Sequence, residues 1–277
     1  MFNTVCTILF LFLIFIIGLY FLRKKRSKAY SLYLAMEWVK KIQLLKEPLQ
    51  SLDNLNDFVY VEGGDFSMGS SDSIGTDNEV QHRVSVASFS IQASVVTQEL
   101  FELVMGFNPS QNKDWKDMPV TNVSYHVCLH FIKKLNEITG QNYRLPTEAE
   151  WEFAARGGNK SQGNLYSGSN EINDVGWYYG NSLERIHVGK EKKSNELGIY
   201  DMSGNVGEWC SDWYGPYRLD VKGSSNPKGP DSGTYRVLRG GSGFSEADYC
   251  RAAYRGWDFP DKEEMNYGFR LVLPAVR

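Results

Sequence analysis

The stretch Tyr143-Arg144-Leu145-Pro146-Thr147-Glu148-Ala149-Glu150-Trp151-Glu152-Phe153-Ala154-Ala155-Arg156-Gly157-Gly158 decides how the chain is read. Thr147 followed three residues later by Glu150 is a capping box, which starts a helix just after Pro146. Two glycines then stop it. Working upstream, Ser124 to Thr139 has the period of a second helix, with Val127, Phe131 and Leu135 inward and Gly140 as its C-terminal residue. Thr97 is an N-cap for a third, running through Glu99 to Met105 until Gly106 and Asn108-Pro109-Ser110 end it. Further back, Phe58 to Gly69 reads as two short strands around Gly63-Gly64, and Arg83 to Ile91 alternates as one strand. Working downstream, helical periodicity ends at Asn159, and strands return only at Tyr235–Arg239 and Gly268–Leu273. Early strands, three helices, long irregular loops and late strands predict an α+β fold with little regular secondary structure. Loops as long as Asp174 to Trp213 are uncommon without a function or a bound ion, so that segment is where chemistry is expected.

Composition narrows the options. A net charge of −3 gives no basic footprint for nucleic acid. The 26 glycines, 7 tryptophans, 16 tyrosines and 15 phenylalanines fit a loop-rich fold anchored by aromatic side chains. Of the four cysteines, Cys6 lies in the N-terminal apolar run, and Cys128, Cys210 and Cys250 form no CxxC element. That pattern argues against structural zinc and for reduced, buried thiols. His126 and His130 share a helix face at i and i+4 but have no third ligand, and read as a surface pair.

The N-terminus has its own signature. Val5 to Leu22 contains no charged residue and reaches about 27 Å as a helix, close to the thickness of a bilayer's hydrocarbon core. A buried core helix would show a polar face. A signal peptide would carry its positive charge before the apolar run, but here Arg23-Lys24-Lys25-Arg26 follows it. Residues 1–27 therefore predict an uncleaved membrane anchor. By the positive-inside rule the N-terminus faces out and the domain faces the cytoplasm. Residues 28–56 read as an amphipathic juxtamembrane helix with Leu34, Trp38, Ile42 and Leu45 on one face, and residues 57–277 as the domain.

The domain's motifs carry a resemblance. Residues 143–158, Gly198-Ile199-Tyr200-Asp201-Met202-Ser203-Gly204-Asn205-Val206-Gly207-Glu208-Trp209, Arg239-Gly240-Gly241-Ser242 and Asn266-Tyr267-Gly268-Phe269-Arg270 resemble the formylglycine-generating enzymes, or sulfatase-modifying factors. Gly64–Gly69, Val96-Thr97-Gln98 and Pro119–Ser124 extend the likeness over about 210 residues of the chain. The resemblance implies a C-type-lectin-like variant fold. It also implies an oxygen-dependent oxidation of a sulfatase cysteine at a copper ion held by two cysteines, since paired thiolates select Cu(I).

Here the pattern departs from the family. Counting forward from Ser242, the first cysteine's place falls on Ser245 and the second on Cys250. Counting back from Arg255 and Pro260, the second falls near Ala247. Either way the first thiolate is absent, and a serine hydroxyl does not replace it for Cu(I). Cys210 is the other thiol to consider. The expectation is a chain without the family's oxidation, with Cys250 as the one weak catalytic candidate and copper absent.

The resemblance further implies structural Ca²⁺ at Asn205, Val206, Gly207 and Glu208, an oxygen set suited to that ion, and a second site beginning at Asp174. The competing reading has Asn205 capping a turn and Glu208 paired with Arg239 or Arg270. Between Gly243 and Tyr267, Phe244, Tyr249, Tyr254, Trp257, Phe259 and Tyr267 alternate with acidic residues as recognition surfaces do. Variable proteins of diversity-generating retroelements are similar and diversify this stretch for ligand binding. The expected function is a membrane-tethered, non-catalytic module for a protein or small ligand, with an altered formylglycine-generating oxidase as the alternative. In cell fractionation the full chain should stay with membranes through an alkaline carbonate wash, and a chain beginning at Lys28 should not. Full-length protein in the soluble fraction would refute the anchor.

Overall fold

The computed structural model describes residues 30–37, 39, 40, 44, 45, 48, 49, 51, 53–71, 78–217 and 224–275. The chain divides into two compact units, Met1–Pro48 and Leu49–Arg277. In the first, residues 30–37 are helical and exposed. Val5–Leu22 and the face residues Trp38 and Ile42 lie outside the described residues. Among the described residues no helix is long and apolar enough to cross a membrane.

Among its described residues the second unit holds ten strands: β1 (Phe58–Val61), β2 (Gly64–Met68), β3 (His82–Val86), β4 (Phe89–Gln92), β5 (Gly207–Trp213), β6 (Ser224–Ser225), β7 (Arg236–Arg239), β8 (Gly256–Asp258), β9 (Tyr267–Gly268) and β10 (Val272–Pro274). Its helices include α1 (Gln98–Met105), α2 (Tyr125–Thr139), α3 (Glu148–Ala155) and the single turn α4 (Ile172–Val175), with a further single turn at Asp53–Asn56. The strands form three small sheets, ordered β1-β4-β10, β2-β3-β6 and β8-β7-β5-β9.

The three long helices begin and end where their caps dictate. Thr97, Ser124 and Thr147 each accept a backbone N–H of the first turn through their side-chain oxygens. Gly106 and Gly140 close α1 and α2 in the left-handed conformation, and the capping box of Thr147 and Glu150 is complete. Glu150 also takes a bidentate pair from Arg144, at 2.6 and 2.7 Å.

Three strand expectations need correction, at Arg83–Ile91, Gly268–Leu273 and Gly207–Trp213. Phe58–Gly69 does form two strands, but β1 pairs with β4 and β2 with β3, in different sheets. Arg83–Ile91 is likewise two strands and not one, because the chain changes sheets at Ala87-Ser88. At this double corner Gly63 donates its N–H to Ser88 Oγ at 3.0 Å. A Cβ on Gly63 would lie 2.5 Å from Val86 O, so the corner needs a residue without one. Gly268–Leu273 divides between β9 and β10, and the break carries Arg270 inward. Gly207–Trp213, expected in a loop, is the longest of these strands. It pairs antiparallel with β7 and parallel with β9.

The core explains why alternation alone misjudged these segments. Every residue of α3 is buried, including Glu148, Glu150 and Glu152. Trp151, Phe153 and Ala154 enter one cluster with Val84, Ile91, Cys210 and Val237. The acidic positions are matched by buried arginines. Arg239, with no exposed side-chain surface, reaches Glu152 at 2.6 Å and Glu148 at 3.1 Å. Arg255 closes a bidentate pair on the same Glu148, at 2.7 and 2.8 Å. Arg251 does so on Glu79, at 2.9 and 3.1 Å.

Arg270 grips Glu208 at 2.6 and 2.7 Å, and Trp151 Nε1 donates to the same carboxylate at 2.9 Å. The two remaining Arg270 bonds reach the carbonyls of Gln92 and Tyr200, at 3.0 Å each. Removing one member of such a pair leaves an unpaired buried charge. Arg270→Leu should therefore cost about 3–5 kcal/mol of unfolding free energy in urea titration. Lys116→Ala, which breaks the exposed pair with Glu99, should cost under about 0.5 kcal/mol.

Candidate functional site

β7 ends at Arg239, and Gly240 and Gly241 follow with φ of 92° and 65°. These left-handed residues turn the chain back on itself. A Cβ on Gly241 would meet Cys250 Sγ at 2.7 Å, so the turn and the thiol are packed in contact. The returning loop folds around Ser242. Its Oγ accepts the Phe244 N–H at 3.2 Å and the Asn266 side-chain amide at 3.0 Å, and shares a hydrogen bond with Ser245 Oγ at 3.0 Å. Ser245 Oγ also accepts the Ser242 N–H at 3.1 Å.

These residues floor an open cleft of about 360 Å³, walled by Tyr249, Tyr254, Trp257 and Tyr267. Trp257 projects from edge strand β8 and packs on Tyr235, with ring centroids 4.2 Å apart. Tyr249 and Tyr254 lean together at 5.0 Å. Tyr267 sets its ring edge on Trp209 at 5.4 Å and donates its hydroxyl to Asp258 at 2.8 Å. Burial, and then Asp258 and Glu264, push the Tyr267 hydroxyl well above the ordinary tyrosine range, so it stays protonated as a donor. Of the six aromatic residues expected to form a surface, four line one cleft. Phe259 packs on Tyr235 outside it, at 4.7 Å, and Phe244 lends the site its backbone N–H.

The cysteines sit elsewhere. Cys250 is fully buried in a small cluster with Tyr166, Ile172 and Val175. Its Sγ faces the carbonyls of Ser242 and Glu246 at 3.9 and 3.7 Å, and burial pushes the thiol up to about 12. Cys210 belongs to the main core, and burial raises its thiol well above the ordinary range too. The donor set does not fit copper: one protonated, inward-facing thiol with serine hydroxyls nearby is not a pair of thiolates. Nor is Ser242 an activated nucleophile. Its neighbours are a hydroxyl, an amide and a backbone N–H, and none of them accepts a proton as a general base would.

The calcium reading fits no better. Asn205 has a left-handed φ of 64° and closes its side chain on His187, accepting its N–H at 2.9 Å and donating to its carbonyl at 3.1 Å. Val206 is buried, and Gly207 begins β5. Glu208, the one carboxylate among these four residues, spends both oxygens on Arg270 and Trp151. Of the two arginine partners expected, Arg270 is the one found. Asp174 lies on α4 and pairs with Lys193 at 3.2 Å. Among the described residues no group of three or more His, Cys, Asp or Glu side chains could hold a metal. His126 pairs with Asp261 at 3.4 Å on the surface.

Asn266, Ser242 and Leu238 were missed as site residues. Asn266 lies 24 positions from Ser242 and reaches it only through the parallel pairing of β5 with β9, for which the sequence has no local signal.

Residues 45–275 match the family described as the sulfatase-modifying factor enzyme 1-like domain. The chain belongs to that family. Among its relatives, the "Chaperone protein LppX" of Paenibacillus barcinonensis is 33% identical over 78% of this chain and 89% of its own length. The formylglycine-generating enzyme of Streptomyces coelicolor is 36% identical over 57% of this chain and 53% of its own, so the match spans about half of that enzyme. Among solved structures, Treponema denticola variable protein 1 superposes with a TM-score of 0.73 at 30% identity, covering 79% of this chain and 95% of that one. The sulfatase-modifying factor fold is therefore the fold expected from the motifs.

The thiol geometry has a direct consequence for labelling. Iodoacetamide at pH 8 should leave Cys250 unmodified in the native protein and alkylate it within minutes in 6 M guanidinium, as mapped by peptide mass spectrometry. Rapid native labelling at Cys250 would contradict the burial described.

Proposed function

We propose that the domain is a non-catalytic binding module, held at a membrane by Val5–Leu22 with its cleft on the cytoplasmic side. The observation that carries the proposal is the pairing of an open aromatic cleft with the lack of any activated group inside it. Ser242, Ser245 and Asn266 hydrogen-bond to one another and offer neutral donors and acceptors. The four rings supply broad apolar faces with polar tips, the chemistry that recognition sites use. Rigid packing behind them, Tyr267 on Trp209 and Trp257 on Tyr235, fixes the rings before a ligand arrives, which lowers the entropy cost of binding.

The relatives support a division of labour within the family. The relative matched over most of both chains is named as a chaperone and not as an oxidase, and the matched solved structure is named as a variable protein. The formylglycine-generating enzyme, matched over about half of its own length, keeps the other option in view. The deciding experiment incubates the full chain in neutral detergent with Cu(I), oxygen and a cysteine-containing sulfatase peptide. Unchanged peptide mass after overnight reaction is expected. Formylglycine in the product would overturn the proposal.

A further inference from the structure

The cleft's surroundings also carry a sign. Between Glu246 and Tyr267 the chain has six carboxylates: Glu246, Asp248, Asp258, Asp261, Glu263 and Glu264. Its basic residues there are Arg251, Arg255 and Lys262. Both arginines are buried and committed to Glu79 and Glu148, so they do not offset the charge outside. Lys262 pairs with Glu264 at 2.7 Å. Asp258 stands beside the cleft, accepting the hydroxyl of the lining Tyr267 at 2.8 Å.

The protein's other aromatic faces show what such a ring takes. Arg236 lies over Trp213 at 3.5 Å and over Tyr125 at 4.3 Å. Arg255 lies over Tyr217 at 3.8 Å, and Lys192 over Trp177 at 3.9 Å. Among the described residues no cation lies over Tyr249, Tyr254, Trp257 or Tyr267. Tyr249 and Trp257 keep 48% and 45% of their surface exposed, so their faces are accessible.

Resting on the binding-module reading, we propose that the cleft takes a lysine or arginine side chain from an extended basic peptide segment. The ring faces attract the cation through their quadrupoles, and the carboxylates outside steer it in. Ser242, Ser245 and Asn266, on the floor, hydrogen-bond the peptide backbone beside it. Arg239, which also lines the cleft, is neutralised by Glu148 and Glu152, so an anionic ligand would still meet an excess of carboxylates, and a purely apolar one would leave the rings' attraction for a cation unused.

The test uses the full chain in neutral detergent and two fluorescein-labelled twelve-residue glycine–serine peptides, one with three lysines and one with three glutamines. Fluorescence anisotropy should show the lysine peptide bound at least about tenfold more tightly at low salt, with the preference shrinking as salt is raised. Trp257→Ala should weaken lysine-peptide binding roughly tenfold, and the paired change Asp258→Asn with Glu264→Gln should flatten the salt dependence. Trp257→Phe, which keeps a ring, should retain most of the affinity, and Trp115→Ala, at an exposed tryptophan elsewhere, should change nothing. Unaltered thermal midpoints in the variants separate lost recognition from lost folding.

Equal binding of both peptides that still needs Trp257 would sink the cationic assignment and leave the binding module standing. Undetectable binding of the lysine peptide at millimolar concentration, or unchanged binding in Trp257→Ala, would also overturn the assignment. Formylglycine formation in the oxidation experiment would instead remove the reading on which the proposal rests.

Discussion

Arg239 lies between Glu148 and Glu152 with no exposed side-chain surface, and much of the domain is arranged to make that arrangement tolerable. A guanidinium and two carboxylates taken out of water each incur a large desolvation cost. The cost is offset only if nearly every proton and lone pair finds a partner. Arg239 has the carbonyls of Ala252 and Ala253 besides its two acids, Glu148 has Arg255, and Glu152 has Arg156 and the Gly69 N–H. Burial raises the Glu152 carboxyl, but Arg156, Arg239 and Gly69 outweigh it and hold the group below its ordinary value. The elements that supply these partners include α3, β7, the segment after Cys250 and the turn at Gly69. They are distant in sequence and must assemble together. The network thereby ties α3 to strand β7 of one sheet and to the turn that follows β2 of another.

The same network explains which parts of the fold the sequence made readable. Helix ends were legible because caps are local: Thr147 and Glu150 satisfy each other within one turn. Sheet membership was not, because β3 and β4 alternate as one run, and only their pairing with β2 and with β1 shows that the chain changes sheets. Glu208 looked like a loop ligand because its partner, Arg270, lies 62 residues away. An acidic residue in a glycine-rich stretch satisfies a cation pattern and an ion-pair pattern equally well until the strand pairing is known.

The candidate site divides along the same line. Four aromatic residues found by composition within one segment do converge, since that segment folds back on itself around Ser242. Asn266 joins through β9 and could not be placed from local pattern. Counting along the chain places Ser245 and Cys250 next to the Gly240-Gly241 turn. Depth was the part counting could not supply. Cys250 lies behind the cleft wall against Gly241, where its burial makes it a packing group.

The charges that specify the interior are anchored on α3, β5, β7 and buried turns, whereas the rings at the cleft mouth hang from a three-residue edge strand and a single 3₁₀ turn. Substitutions at Tyr249 or Trp257 remove neither a buried ion pair nor a sheet's central hydrogen bonds. Inheritance can therefore act on recognition and on foldability as two nearly separate traits, and lineages carrying this scaffold are free to explore new partners at small risk of losing the fold.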